Sequence, residues 1–248
     1  MRVFIRPCVW LLALLFCASF MSVFEALFGW FQPGQTSLIY QRAGFLSLLQ
    51  NHVLLVLISG SIGTAMAVSA GILVTRGWGR DFLPLASQVA SIGQTFPPVA
   101  VLALAVPVLG FGEAPTLMAL VLYGLLPILR NTLVGLDGIA PAVKEAASGM
   151  GMSPTQVLLK VELPLAGRVI LAGVRTSVTI NIATAAIGST IGARTLGDPV
   201  IAGLVNGNTG YVLQGALLIG LLAITTDSLF EALQRTWSQR LLAAAVAG

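Results

Sequence analysis
The sequence predicts an all-α, polytopic membrane protein of about six transmembrane helices, with a helix-turn-helix loop on the inner side. The first reason is composition: 9% of the residues are charged and 56% are hydrophobic, and mean hydropathy is +0.94. A soluble chain carries roughly a quarter charged residues. The second is length. Six stretches, 8–28, 52–74, 83–110, 114–133, 168–191 and 211–233, supply the ~20 apolar residues that cross a hydrocarbon core of about 30 Å. The third is where the basic residues fall. With the N-terminus inside, inner segments hold Arg2, Arg6, Arg76, Arg80, Lys144, Lys160, Arg168, Arg235 and Arg240. The outer segments hold Arg42 and Arg194, while Arg130 and Arg175 sit in or near span ends on the inner side. Cytoplasmic loops collect Lys and Arg, so both termini and the loop 134–167 are expected to be cytoplasmic.

The net charge of +4 carries no nucleic-acid signal, because the basic residues stand singly between apolar runs. Cys8 and Cys17 share the first apolar run without His or carboxylate neighbours. They read as buried apolar fillers, not as metal ligands or a disulfide. No metal site is expected.

Span 8–28 follows Arg2 and Arg6, a pattern that also fits a signal peptide. The run from Cys8 to Phe24 is long for one, and Phe16 before Cys17 does not suit a lipoprotein site. The span is expected to be retained; its removal would leave five in the same orientation. Segment 29–51 is the longest outer piece and carries Trp30, Phe31 and Tyr40, the aromatic belt of a membrane interface. His52, the one histidine, is expected to cap the next span at its outer edge.

Span 83–110 contains Gln94-Thr95-Phe96-Pro97-Pro98 and later Pro107. Adjacent prolines remove donors and kink a membrane helix, and the freed carbonyls need other partners. One reading is a packing kink. The other is that the break, through Thr95 and Pro97, lines a solute path, since irregular backbone is tolerated beside a cavity. Span 168–191 is dotted with Thr176, Thr179, Asn181, Thr184, Ser189 and Thr190. Small and hydroxylated residues let membrane helices approach closely; Asn181 and Thr184 are the candidates for path-lining groups. The outer segment 195–212 begins a short helix at Asp198-Pro199 and ends in a Gly/Asn turn.

Arg175 and Asp227 are charges inside spans, each about 10 Å from the inner face at ~1.5 Å per residue. A lone charge near a helix centre costs about 2.5–3.5 kcal/mol on insertion scales, so the two are expected to pair as structural glue.

The loop is the most informative stretch. Pro141 suits a first helical position, Lys144 to Ala147 are good helix formers, and Gly149 and Gly151 supply an end with a left-handed turn. Ser153, Pro154 and Gln156 form an S-x-x-Q capping box for a second helix, which Pro164 is expected to stop. Glu145-Ala146-Ala147, three residues, Gly151, nine residues, Val161, one residue, Leu163-Pro164 resembles the EAA loop of permease subunits in bacterial ATP-binding-cassette importers. Only Val161 departs from that pattern, which has Ile. The resemblance implies a type I importer permease fold. It also implies that Glu145, Ala146, Ala147, Gly151, Val161, Leu163 and Pro164 couple this chain to a cytoplasmic ATPase.

Beyond the loop, QTFPPVAVLALAVPVLGFG, YGLLPILRNTLVGL, GMGMSPTQVLLKVELPLAGRVILAGVRTS and TLGDPVI are similar to permeases of quaternary-ammonium osmoprotectant importers. That likeness implies glycine betaine, choline or carnitine as solute. It implies two ATPase copies, a second permease (identical or related), a periplasmic solute-binding protein and surrounding lipid as partners. ATP would sit on the ATPase, and no cofactor on this chain. An aromatic cage for the cation is not apparent, which fits a cage on the separate receptor. The chain divides into an N-terminal span and outer segment (1–51), a permease core (52–233) holding the loop, and a cytoplasmic tail (234–248).

Other classes fit less well. Neither Lys144 nor Lys160 lies in a GK[ST] triplet, so no P-loop is present. An intramembrane protease would need Ser and His on facing helices, and His52 lies at the wrong boundary. An ion-gradient-driven secondary transporter would need inverted repeats and midplane carboxylates. No internal repeat is visible, and Glu25, Glu113 and Asp198 fall at span ends or outside; only Asp227 is intramembrane. A permease for another small solute, such as an amino acid, stays open.

Overall fold
The computed structural model describes residues 2–31 and 37–247, and among them every regular element is helical. Residues 32–36 of the expected outer segment, and the side chains of Arg2 and Arg240, lie outside the described set. Three helices form the centre: α3 (Phe45–Thr75), α6 (Glu113–Asp137) and α9 (Leu163–Ala185). They pack closely because small residues face each other. A Cβ on Gly173 of α9 would lie 2.8 Å from the Pro127 carbonyl of α6, so only glycine permits that crossing.

The first expected span is two helices. α1 (Ile5–Ser19) ends at Phe20, whose backbone leaves the helical region, and α2 (Glu25–Phe31) departs after a short 3-10 turn. The two limbs meet at 84°. The bend seats Met21 and Phe28 in the same core as Leu14, which a straight rod would not do. Cys17 is buried, but Cys8 is exposed on α1, so one thiol departs from the expected filler role.

α3 begins at Phe45, inside the expected outer segment, so the boundary drawn after residue 51 falls within a helix. The stretch 83–110 is also two helices, α4 (Leu83–Thr95) and α5 (Pro98–Leu109), at 99°. The break is far sharper than the kink expected of the span. Phe96 and Pro97 each precede a proline and are both extended (ψ 140° and 139°), as the proline ring demands of its predecessor. Two extended residues in a row turn the chain sharply.

After α6 come α7 (Pro141–Gly149) and α8 (Pro154–Val157), and after α9 come α10 (Gly197–Asn206) and α11 (Thr209–Ala247). Among the described residues α3, α6 and Thr209–Trp237 of α11 are each long and apolar enough to cross a membrane, or five spans if each bent pair counts as one. α9, which carries Arg168 and Arg175, packs along α3 and α6 and is not one of these candidates. Large apolar side chains on the outward faces, such as Leu12, Leu57 and Leu104, are exposed, as lipid-facing positions require.

Candidate functional site
The loop between α6 and α9 follows local rules. Ala140 is extended ahead of Pro141, which takes the first position of α7. α7 closes in a Schellman motif: Gly151 N–H donates to Ser148 O (3.0 Å) and Met152 N–H to Ala147 O (3.2 Å). Gly151 supplies the left-handed residue at φ +82°. A Cβ there would meet nothing within 4 Å, so the backbone angle alone calls for glycine. Both halves of the capping box form: Ser153 N–H donates to Gln156 Oε1 (2.9 Å) and Gln156 N–H to Ser153 Oγ (3.4 Å).

Pro164 does not stop the second loop helix. α8 runs through one π-helical turn, Leu158–Glu162, directly into α9, and Pro164 lies in the first turn of α9. In the π turn Leu163 N–H reaches back to Leu158 O. The wider turn resets the bonding register just where Pro164 has no N–H to give.

Glu145 and Ala146 are exposed on α7, while Ala147 turns inward at 2% exposure. Val161 and Leu163 are half-buried; Leu163 packs on Leu136, Ile139 and Ala166. Above that apolar cluster sits Glu162, which the sequence reading passed over. Its carboxylate is 4% exposed and accepts from Arg76 Nη2 at the end of α3 (2.6 Å), with Lys144 Nζ of α7 at 3.5 Å. Lys144 also donates to the Leu136 carbonyl at the end of α6 (3.2 Å). A carboxylate in the apolar run LLKVELPL was the available signal. Its main partner is 86 residues away, beyond the reach of any spacing rule.

The residues expected along a solute path separate. Thr95 and Pro97 are exposed at the α4–α5 break. The break is staked to α6: Tyr123 O–H donates to the Phe96 carbonyl, and Gln94 Nε2 to the Tyr123 carbonyl (3.1 Å). That second carbonyl is the one Pro127, four residues on, leaves without its helical donor. Thr184 is half-buried. Asn181 is fully buried and donates to Ser59 Oγ of α3 (3.2 Å). It therefore lies inside the bundle of this chain, because α3 and α6 close over the mid-depth face of α9. Ser177 Oγ and Asn181 Oδ1 have no partner there.

His52 is likewise no edge cap. It is fully buried, with Nε2 3.0 Å from Ile182 O of α9, while Nδ1 accepts from Leu196 N–H (3.2 Å). Arg175 and Asp227 are joined across α9 and α11 through Nε–Oδ1 at 2.6 Å. Tyr40, Arg42, Ser189, Asp198 and Asn206 line a cleft of about 340 Å³ near α10. Burial first, then the nearby Asp198, pushes the Tyr40 phenol above its ordinary pKa.

Comparison with known proteins decides the family. The family described as "Binding-protein-dependent transport system inner membrane component" matches residues 63–239, from α3 through the loop into α11. The chain belongs to that family. As such it is a multi-pass inner-membrane component of an importer that works with an ATPase and a solute-binding protein. This inner-membrane component is 37% identical over 204 residues to the osmoprotectant import permease protein OsmY of Salmonella typhimurium, covering 82% of the chain and 86% of that protein. It is 38% identical over 187 residues to the choline transport system permease protein OpuBB of Bacillus subtilis (74% and 84% covered). It is 38% identical over 190 residues to the carnitine transport permease protein OpuCB of Listeria monocytogenes (76% and 86%). Its fold is that of a chain in the inward-facing MetNI methionine ABC transporter, with TM-score 0.68, 21% identity, and 77% and 95% covered.

Proposed function
We propose that this chain is the permease subunit of an ATP-driven importer of quaternary-ammonium osmoprotectants: glycine betaine, choline, carnitine or a close relative. One observation carries the reading. Relatives from three bacteria, 37–38% identical over most of both chains, are named for osmoprotectant, choline and carnitine transport. The chain is a transport subunit and not an enzyme; ATP is bound and hydrolysed by a cytoplasmic partner. Two copies of that ATPase dock below a pair of permeases, identical or related, and a periplasmic receptor delivers the solute from above. Both termini are cytoplasmic in this arrangement.

The mechanism follows from the loop. α7 offers Glu145 and Ala146 on an exposed, rigidly closed helix, a shape suited to a groove on the ATPase. Closure of the two ATPases draws the α7 helices of the permease pair together and swings the attached spans from inward- to outward-open. The test is uptake of labelled glycine betaine by proteoliposomes holding the whole assembly. Uptake that requires ATP supports the reading. Uptake that persists without ATP on a proton gradient identifies a secondary transporter instead, and ATP-driven uptake of an amino acid but no quaternary ammonium compound moves the solute class.

A further inference from the structure
Resting on that reading, we infer that Glu162 is the positioning residue that makes α7 and the adjoining ends of α3 and α9 one mechanical unit. Of the nine residues in α7 only Ala147 is buried. Apolar packing therefore holds the docking helix weakly, since hydrophobic stabilisation follows the area removed from water. Its side-chain tie to the bundle is Lys144, which reaches the Leu136 carbonyl and Glu162. Glu162 closes the π turn at the start of α9, and its second partner, Arg76, caps α3 and also donates from Nε to Ile72 O (3.4 Å). One carboxylate thus joins three elements.

The chemistry makes this tie stiff. A carboxylate at 4% exposure is screened little by salt, and its attraction to two cations is stronger than at a wet surface. Without it Arg76 and Lys144 face each other with like charge, and α7 is free to move while the spans stay still. The docking face is untouched, because Glu145 and Ala146 lie on the exposed side of α7. Loss of Glu162 should therefore uncouple the machine without undocking it.

The experiment uses the complete assembly in proteoliposomes and reads solute moved per ATP hydrolysed. Glu162→Gln should co-purify with the ATPase at the parental level and keep its hydrolysis, while the ratio falls about tenfold, within the usual span of coupling between sites. Lys144→Met should lower the ratio less, and the exchange Glu162→Arg with Arg76→Glu should restore part of it. A second readout needs no solute. Spin labels on Ala142 of α7 and Gly77 beyond α3 should keep one separation in the parent, with or without a nucleotide analogue, and a spread of separations in Glu162→Gln. An unchanged transport ratio, an unchanged separation in Glu162→Gln, or loss of ATPase binding in all variants overturns the inference. If the parent complex moves no quaternary ammonium solute, the spin-label result still decides the role of Glu162.

Discussion

Arg175 and Asp227 meet as a two-pronged ion pair between α9 and α11, with Nε 2.6 Å from Oδ1 and Nη2 2.7 Å from Oδ2. Parallel N–H donors onto a carboxylate are the strong geometry for such pairs. Both side chains remain partly exposed, at 29% and 47%, so the pair stabilises less than a fully enclosed one. Arg175→Leu and Asp227→Leu each strand one charge and should lower the melting temperature of the purified protein. The loss is bounded by the ~2.5–3.5 kcal/mol that a lone charge costs at mid-span. The exchange Arg175→Asp with Asp227→Arg should regain part of that loss; no recovery would show that the contact contributes nothing.

Gly151→Val forces a β-branched residue to φ +82°, at a cost of roughly 1–2 kcal/mol. The Schellman closure of α7 fails first, because two bonds depend on that angle. Membrane abundance should stay near the parental level while uptake falls sharply. Normal uptake by this variant would remove α7 from the coupling pathway.

His52→Leu should destabilise the outer half of the bundle. It leaves Leu196 N–H buried without an acceptor, a penalty of about 1–3 kcal/mol, and unties α3 from α9 and α10. The expected signs are a lower melting temperature and faster proteolysis near 192–197. A melting temperature equal to the parent's would mean water or backbone replaces both bonds.

The orientation has a direct test. With Cys8 and Cys17 replaced by alanine, a cysteine at Gly149, where a Cβ meets no neighbour within 4 Å, should react with a membrane-impermeant thiol reagent only from the cytoplasmic side. Labelling from the periplasm would place the loop where no ATPase can reach it.

Much of the loop was legible because its rules act over four to six residues. Ser153 and Gln156 cap each other, Pro141 opens a helix, and Gly151 closes it, each through bonds to near neighbours. The prolines at 97 and 98 signalled a break for the same reason. Whether that break would be a kink or a 99° turn was not local. It depended on Gln94 reaching the Tyr123 carbonyl and the Tyr123 hydroxyl reaching the Phe96 carbonyl across two helices. Pro164 misled because a π turn, invisible in composition, removed the conflict that a proline ordinarily creates.

By itself the sequence determined the class of the protein, the helical stretches and the hinge between α7 and α8, all consequences of apolar length and short-range bonding. The tertiary structure alone decided that His52 and Asn181 are interior ties and that Glu162 gathers Arg76 and Lys144. Those outcomes depend on which faces of α3, α6 and α9 meet. That is fixed by the combined shapes of helices far apart in the chain, where no single residue spacing carries the information.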